Sequence, residues 1–169
     1  MALLKQVHPD YTVEELKALA MNTSTTDVRL DVPTNSPKIG PGRIGAGRIT
    51  LPNAAQAQAV AFNADEGGMV SVSFGAPEVI GSATATKNIR LINKGSSAAT
   101  YDIAYVPVAD VPGVSYNLSR SSVALSAGGY TNIEVTLTAD ATQMKHTRDA
   151  SVAPQQQIAR HWLSEEAGY

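Results

Sequence analysis

The hydrophobic positions change period along the chain, and the change divides it into three zones. In the first, Val13, Leu16, Leu19 and Ala20 recur at helical spacing. Thr12 opens a T-x-x-E pattern with Glu15, the capping box in which each residue satisfies the other's free amide. Pro9 falls before the cap, where its missing amide does no harm. Residues 2–7 read as the tail of an earlier helix. The opening therefore predicts a short helix–turn–helix suited to covering one face of a sheet. The second zone, 22–47, is a connector: Pro33, Pro37 and Pro41, with Gly40, Gly42, Gly45 and Gly47, forbid long regular structure. The alanine-rich stretch 51–62 then reads as a short helix.

In the third zone the period falls to two. Val70, Val72 and Phe74 alternate with Ser71 and Ser73, and Ile89 and Leu91 with Asn88 and Arg90. Tyr101, Ile103 and Tyr105 repeat the pattern. Val114, Tyr116 and Leu118 follow, then Val123 and Leu125, then Ile133, Val135 and Leu137. These are strands with one apolar face, separated by Gly, Ser, Asn and Pro turns. Such alternation predicts antiparallel sheets packed as a sandwich. The fold class expected is mainly β, an antiparallel immunoglobulin-like sandwich preceded by a short helical segment. A sandwich of this type has about seven strands, and the pattern here supplies fewer, with room for one more after Arg148. The sandwich is therefore expected to be incomplete at its C-terminal end.

Composition narrows the function classes. The chain has 169 residues, 43% of them hydrophobic, enough for a packed core. Its net charge of -2 gives no reason to expect nucleic acid or an anionic membrane as partner. There is no cysteine, so disulfides, thiolate zinc sites and a cysteine nucleophile are excluded. No apolar run approaches a membrane span. The first residues, MALLKQVHPD, hold no apolar core of a signal peptide, so an export signal would lie upstream.

Five segments, at residues 2–24, 45–49, 92–105, 122–140 and 160–169, in that order resemble the subtilisin-like serine proteases, the subtilase family. ALLKQVHPDYTVEELKALAMNTS, residues 2–24, is similar to the two helices that close the catalytic domain after its nucleophile. GAGRI, residues 45–49, resembles the family's Gly-x-Gly-Arg turn before its final short helix. INKGSSAATYDIAY, residues 92–105, and SVALSAGGYTNIEVTLTAD, residues 122–140, resemble the fibronectin type III-like domain that follows in many large secreted subtilases. RHWLSEEAGY, residues 160–169, resembles the approach to a further strand of that domain. The resemblance implies two units: 1–62, the last helices and connector of a catalytic domain, and 67–169, a truncated β-sandwich.

The family's chemistry needs Asp, His and Ser in that chain order, with donors for the oxyanion. Its nucleophile lies in a Gly-Thr-Ser-Met-Ala stretch that would fall just ahead of Met1. The chain holds neither that stretch nor the Asp and His regions, so it is expected to be inactive alone. No catalytic, cofactor or metal residue is assigned. The resemblance implies a non-catalytic piece of a secreted, extracellular endopeptidase whose β domain braces the catalytic domain or helps to position protein substrate. Its partners would be the remaining catalytic portion and a protein substrate, with self-association through exposed edges. The alternative is a free-standing β-sandwich that binds protein or carbohydrate.

Other constellations have plainer readings. Gly40-Pro-Gly42-Arg-Ile-Gly45 matches G-x-G-x-x-G, with Asp65 downstream. A dinucleotide site needs that motif between a strand and a helix, and prolines break the segment before it. His8 and Asp10 lack a nucleophile, and His8 is expected to make local hydrogen bonds. His146 and His161 lack the further ligands a zinc site needs. Asn22 and Asn117 head glycosylation sequons of a kind that often arises by chance. Trp162, Leu163 and Tyr169 read as core of a further strand.

Overall fold

The computed structural model describes residues 1–30, 36–107 and 111–145. The histidines His146 and His161 and the segment 160–169 lie outside the described residues. Among the described residues, four short helices precede and adjoin the sheets: α1 (Ala2–Val7), α2 (Val13–Asn22), α3 (Pro41–Ile44) and α4 (Leu51–Gln56). The strands are β1 (Ala59–Asn63), β2 (Ser82–Asn93), β3 (Ala99–Asp102), β4 (Val114–Leu118), β5 (Ser122–Leu125) and β6 (Tyr130–Asp140). One sheet has the order β1-β2-β6-β4 and the other pairs β3 with β5. Every pairing is antiparallel. The protein is mainly β, with the two sheets facing each other as in a sandwich.

The capping box forms as the sequence requires. The Glu15 amide donates to Thr12 Oγ1 at 3.2 Å, and the Thr12 amide donates to Glu15 Oε2 at 3.0 Å. The buried stripe of α2 is Leu16, Ala18, Leu19 and Ala20. Val13, expected on that stripe, is 73% exposed; it sits in the first turn, beyond the edge of the sheet surface.

Two expectations fail together. The helix expected over 51–62 ends at Gln56, and a strand, β1, begins at Ala59. The strand expected at 70–74 does not form. The cause is burial on both faces. Ala59 and Ala61 of β1 face the second sheet, while Val60 and Phe62 face the helices. A strand covered on both sides reads as a continuous apolar run and loses the alternation that marks its neighbours. The 70–74 segment instead gives Val70 to the helix core and Phe74 to a ring contact with Tyr116, centroids 5.8 Å apart. Its links to β1 both come from Asn63, whose amide donates to the Val70 carbonyl at 2.9 Å and whose Nδ2 donates to the Ser71 carbonyl at 3.4 Å. The sheet thus begins inside the stretch read as the first unit, 1–62.

Two cores result. The interior of the sandwich holds Leu91, Ile133 and Leu125, with Tyr101, Ile103 and Val123 packed against them. The other core lies on the opposite face of β1. Leu4, Leu16, Leu19 and Ala54 from α1, α2 and α4 meet Val60, Phe62 and Val70 there. Leu4, Leu19 and Val60 are essentially sealed from solvent, each worth about 1.5–3 kcal/mol of transfer free energy.

Candidate functional site: the junction of helices and sandwich

The helices are fixed to the sheets by polar ties around that second core, and α2 supplies most of them. At its N-terminal end Glu15 does two jobs. One carboxylate oxygen closes the capping box, and the other lies 2.8 Å from Lys94 Nζ, just past the end of β2. The two side chains are only 12% and 22% exposed, so the pair is shielded more than a surface ion pair. Lys94 Nζ also stands 4.3 Å from the centroid of the Tyr11 ring, a favourable cation–π contact. Burial opposes ionisation of Glu15, but the hydrogen bonds from Lys94 and Thr12 outweigh it and hold the carboxyl below the ordinary glutamate range. Burial pushes the Tyr11 hydroxyl up, partly offset by Lys94.

One turn away, α2 grips a glycine of the loop after β1. Gly68 donates its amide to Glu14 Oε1 at 2.8 Å, and its carbonyl accepts from Lys17 Nζ at 2.7 Å. Residues 14 and 17 are three apart and share a helix face, which is why both reach the same peptide. At the C-terminal end Asn22 Oδ1 accepts the Ala61 amide at 2.8 Å.

His8 joins the same junction. Its Nε2 lies 3.1 Å from the Ala55 carbonyl. A carbonyl only accepts, so that nitrogen carries the proton and donates. The ring stacks on Tyr11 with centroids 4.5 Å apart. His8 makes local hydrogen bonds through its backbone, to Leu4 and Tyr11, and its ring besides ties α1 to α4 across the sequence; no His8–Asp10 hydrogen bond occurs among the described residues.

Below the junction Asn93, 1% exposed, organises the turn between β2 and β3. Its Nδ2 donates to the carbonyls of Ser97, Leu125 and Ser126, at 2.8, 3.3 and 3.1 Å, and its Oδ1 accepts the Gly95 amide at 2.9 Å. Its backbone bonds Gly128 and Gly129 in the β5–β6 turn. A buried amide so fully satisfied locks the two turns together.

The remaining sequence candidates are dispersed. Gly40 caps the four-residue α3, and among the described residues no strand leads into it, so the G-x-G-x-x-G match lacks its strand–helix setting there. Gly47 has a concrete backbone role instead. Its φ is +99°, and a Cβ there would overlap the Thr25 carbonyl, because Thr25 and Arg48 form an antiparallel bridge across the connector. Asp65 binds the Asn88 side chain and amide at 3.0 and 2.7 Å. Those bonds hold its carboxyl below the ordinary range. Asn22 is occupied by Ala61, and Asn117 lies exposed on β4. Among the described residues no cluster of His, Asp and Glu is arranged to hold a metal ion, and no helix is long and apolar enough to cross a membrane.

Fold and junction together define an antiparallel β-sandwich with an integral helical cap. No protein-family model matches the chain, and no curated protein matches it.

Proposed function

We propose that this chain is a non-catalytic part of a secreted subtilisin-like serine endopeptidase, a fibronectin type III-like sandwich that braces the end of the catalytic domain. The observation that carries the bracing role is the junction. The helices that resemble the close of a catalytic domain do not hang from the sandwich on a linker. They share a core with β1 and are tied to it through Glu14, Glu15, Lys17, Asn22 and Lys94. A brace needs such stiffness, because a domain joined by a flexible tether transmits no stability. The Thr25–Arg48 bridge, which only glycine at 47 permits, supports the reading of GAGRI as a fixed turn.

Two experiments test this. The coding sequence immediately ahead of Met1 should encode a Gly-Thr-Ser-Met-Ala-like segment in frame; an unrelated sequence there removes the protease reading. In the enzyme containing this chain, Lys94→Met should speed irreversible thermal inactivation and leave KM for a protein substrate unchanged. Unaltered inactivation would remove the bracing role. The isolated chain should show no serine-inhibitor-sensitive cleavage of casein. A free-standing module would gain if residues 2–49 were dispensable for folding of the rest, and removing them uncovers Val60 and Phe62 and deletes every tie from α2.

A further inference from the structure

The central strand β2 is an edge strand for half its length. β1 pairs only with residues 89–93 of β2, whereas β6 pairs with 82–92. In an antiparallel ladder successive residues bond to alternate sides. Asn93 bonds toward β6, through its amide to Gly129, and Asn88 bonds toward β1, through its carbonyl to the Ala64 amide. Even-numbered residues of β2 therefore point their backbone groups to the β1 side. Beyond Asn88 that side has no strand among the described residues. Ser82, Thr84 and Thr86 are exposed, and among the described residues their outward amides and carbonyls meet no hydrogen-bond partner.

The sheet's other boundary on this side is closed. The Asn22 side chain takes the Ala61 amide and the Val70 carbonyl takes the Asn63 amide. Asp65 takes the Asn88 amide. The open window runs from that cap to the turn at Gly81 and reads Ser82-Ala-Thr84-Ala-Thr86. It carries no charge and no proline, the usual devices against edge pairing.

We propose that this window is a self-association edge, and that its occupant is the same window of a second copy, antiparallel about a two-fold axis through Thr84. The sequence is nearly symmetric about that residue. Thr84 then faces Thr84 of the other copy, Ser82 faces Thr86, and Ala83 faces Ala85. Three hydrogen-bonded pairs form, giving about six backbone bonds at two per pair. Hydroxyl side chains meet on the outer face, where Thr–Thr and Thr–Ser pairs are favourable. The window is neutral, so two copies do not repel. The result is a continuous sheet across both molecules with an isologous interface. The edge exists whatever enzyme the chain belongs to.

Sedimentation velocity on the full chain, from micromolar to millimolar concentration, should show the mass rising toward twofold. Thr84→Lys places like charges across the axis and should hold the chain monomeric. Thr84→Pro should do the same; it is tolerated because an edge residue's outward amide bonds to nothing. Asn117→Lys, on the far edge strand β4, should associate like the unaltered chain. Hydrogen exchange on the unaltered protein should show the Ser82, Thr84 and Thr86 amides gaining protection as concentration rises. A monomer throughout overturns the proposal. So does association that survives both Thr84 substitutions, or that Asn117→Lys abolishes. Protection of the three amides independent of concentration also overturns it, because another segment of the same chain then occupies the edge.

Discussion

Replacing Lys94 by Met tests whether the Glu15–Lys94 contact fastens the helices to the sandwich. Met keeps the apolar stem and its packing, so the change isolates the charge. Three effects combine. The 2.8 Å charged hydrogen bond is lost, worth about 1.5–3 kcal/mol when shielded. The cation over the Tyr11 ring is lost, worth about 0.5–2 kcal/mol. Against these, Glu15 keeps the Thr12 amide, so the carboxylate is not stranded. The cost therefore falls short of the full ~3–5 kcal/mol of a broken buried pair, and we expect about 2–3 kcal/mol. Glu15→Gln should cost about 1 kcal/mol, because the amide oxygen still accepts from Thr12. In a urea double-mutant cycle the two should be non-additive by about 1–1.5 kcal/mol. The pH dependence has a definite sign. The folded-state pKa of Glu15 is lowered, so its contribution is present above the ordinary glutamate value. It is lost as the pH falls through the lower folded value. The coupling should therefore shrink in acid. Coupling below about 0.5 kcal/mol near neutrality, the level of an exposed pair, would refute the fastening role.

Three further substitutions probe other parts of the architecture. Gly47→Ala should destabilise by about 2–3 kcal/mol, since it adds an overlap with the Thr25 carbonyl to a strained φ; Gly45→Ala, at φ +57° and ψ -131° with open space around its Cβ, adds backbone strain alone and should cost less. Equal urea midpoints for the two would contradict the close approach. Asn93→Leu should cost about 3–4 kcal/mol by calorimetry, because it removes every side-chain hydrogen bond that Asn93 makes to Ser97, Leu125, Ser126 and Gly95 at a buried position; a neutral result would mean that these groups are hydrated in the folded state. Phe62→Ala should cost about 3–4 kcal/mol and reduce helical circular dichroism before the sheet signal changes, and coincident loss of both signals would place Phe62 in a core shared by the whole molecule.

What was legible in the sequence follows from how many faces of each element are wet. α2 announced itself because its outer face is polar and its start carries a capping box. β4, β5 and β6 alternate cleanly because one face meets the other sheet and one meets solvent. β1 is apolar on both sides, so its five residues merged with the alanines of α4 into one expected helix. The 70–74 segment alternates as well as any strand, yet Gly67, Gly68 and Gly75 turn it away from the sheet edge. The junction was legible only at Glu15, and there only as a cap. Nothing local distinguishes Glu14, Lys17 or Lys94 from solvated charges, because their partners lie about fifty or more positions away, at Gly68 and Glu15. The Asn93-Lys94-Gly95 turn was the one available signal, since Asn before a glycine-containing turn commonly bonds the backbone nearby.

The junction also resolves two weaknesses that neither part can resolve alone. α1, α2 and α4 have six, ten and six residues, below the length of about 12–15 at which isolated helices become even marginal in water. Their helicity depends on the apolar face that Val60 and Phe62 present. β1 is the outermost strand of its sheet, and its outward amides would invite pairing with another chain. Asn22 at the end of α2 takes one of them and the Val70 carbonyl takes the next. Helices and edge strand thus stabilise each other. The contrast lies further along the same side of the sheet, where β1 has ended and no helix reaches. There, among the described residues, nothing pairs with the backbone of Ser82, Thr84 and Thr86, so the association proposed for that window would require no unfolding.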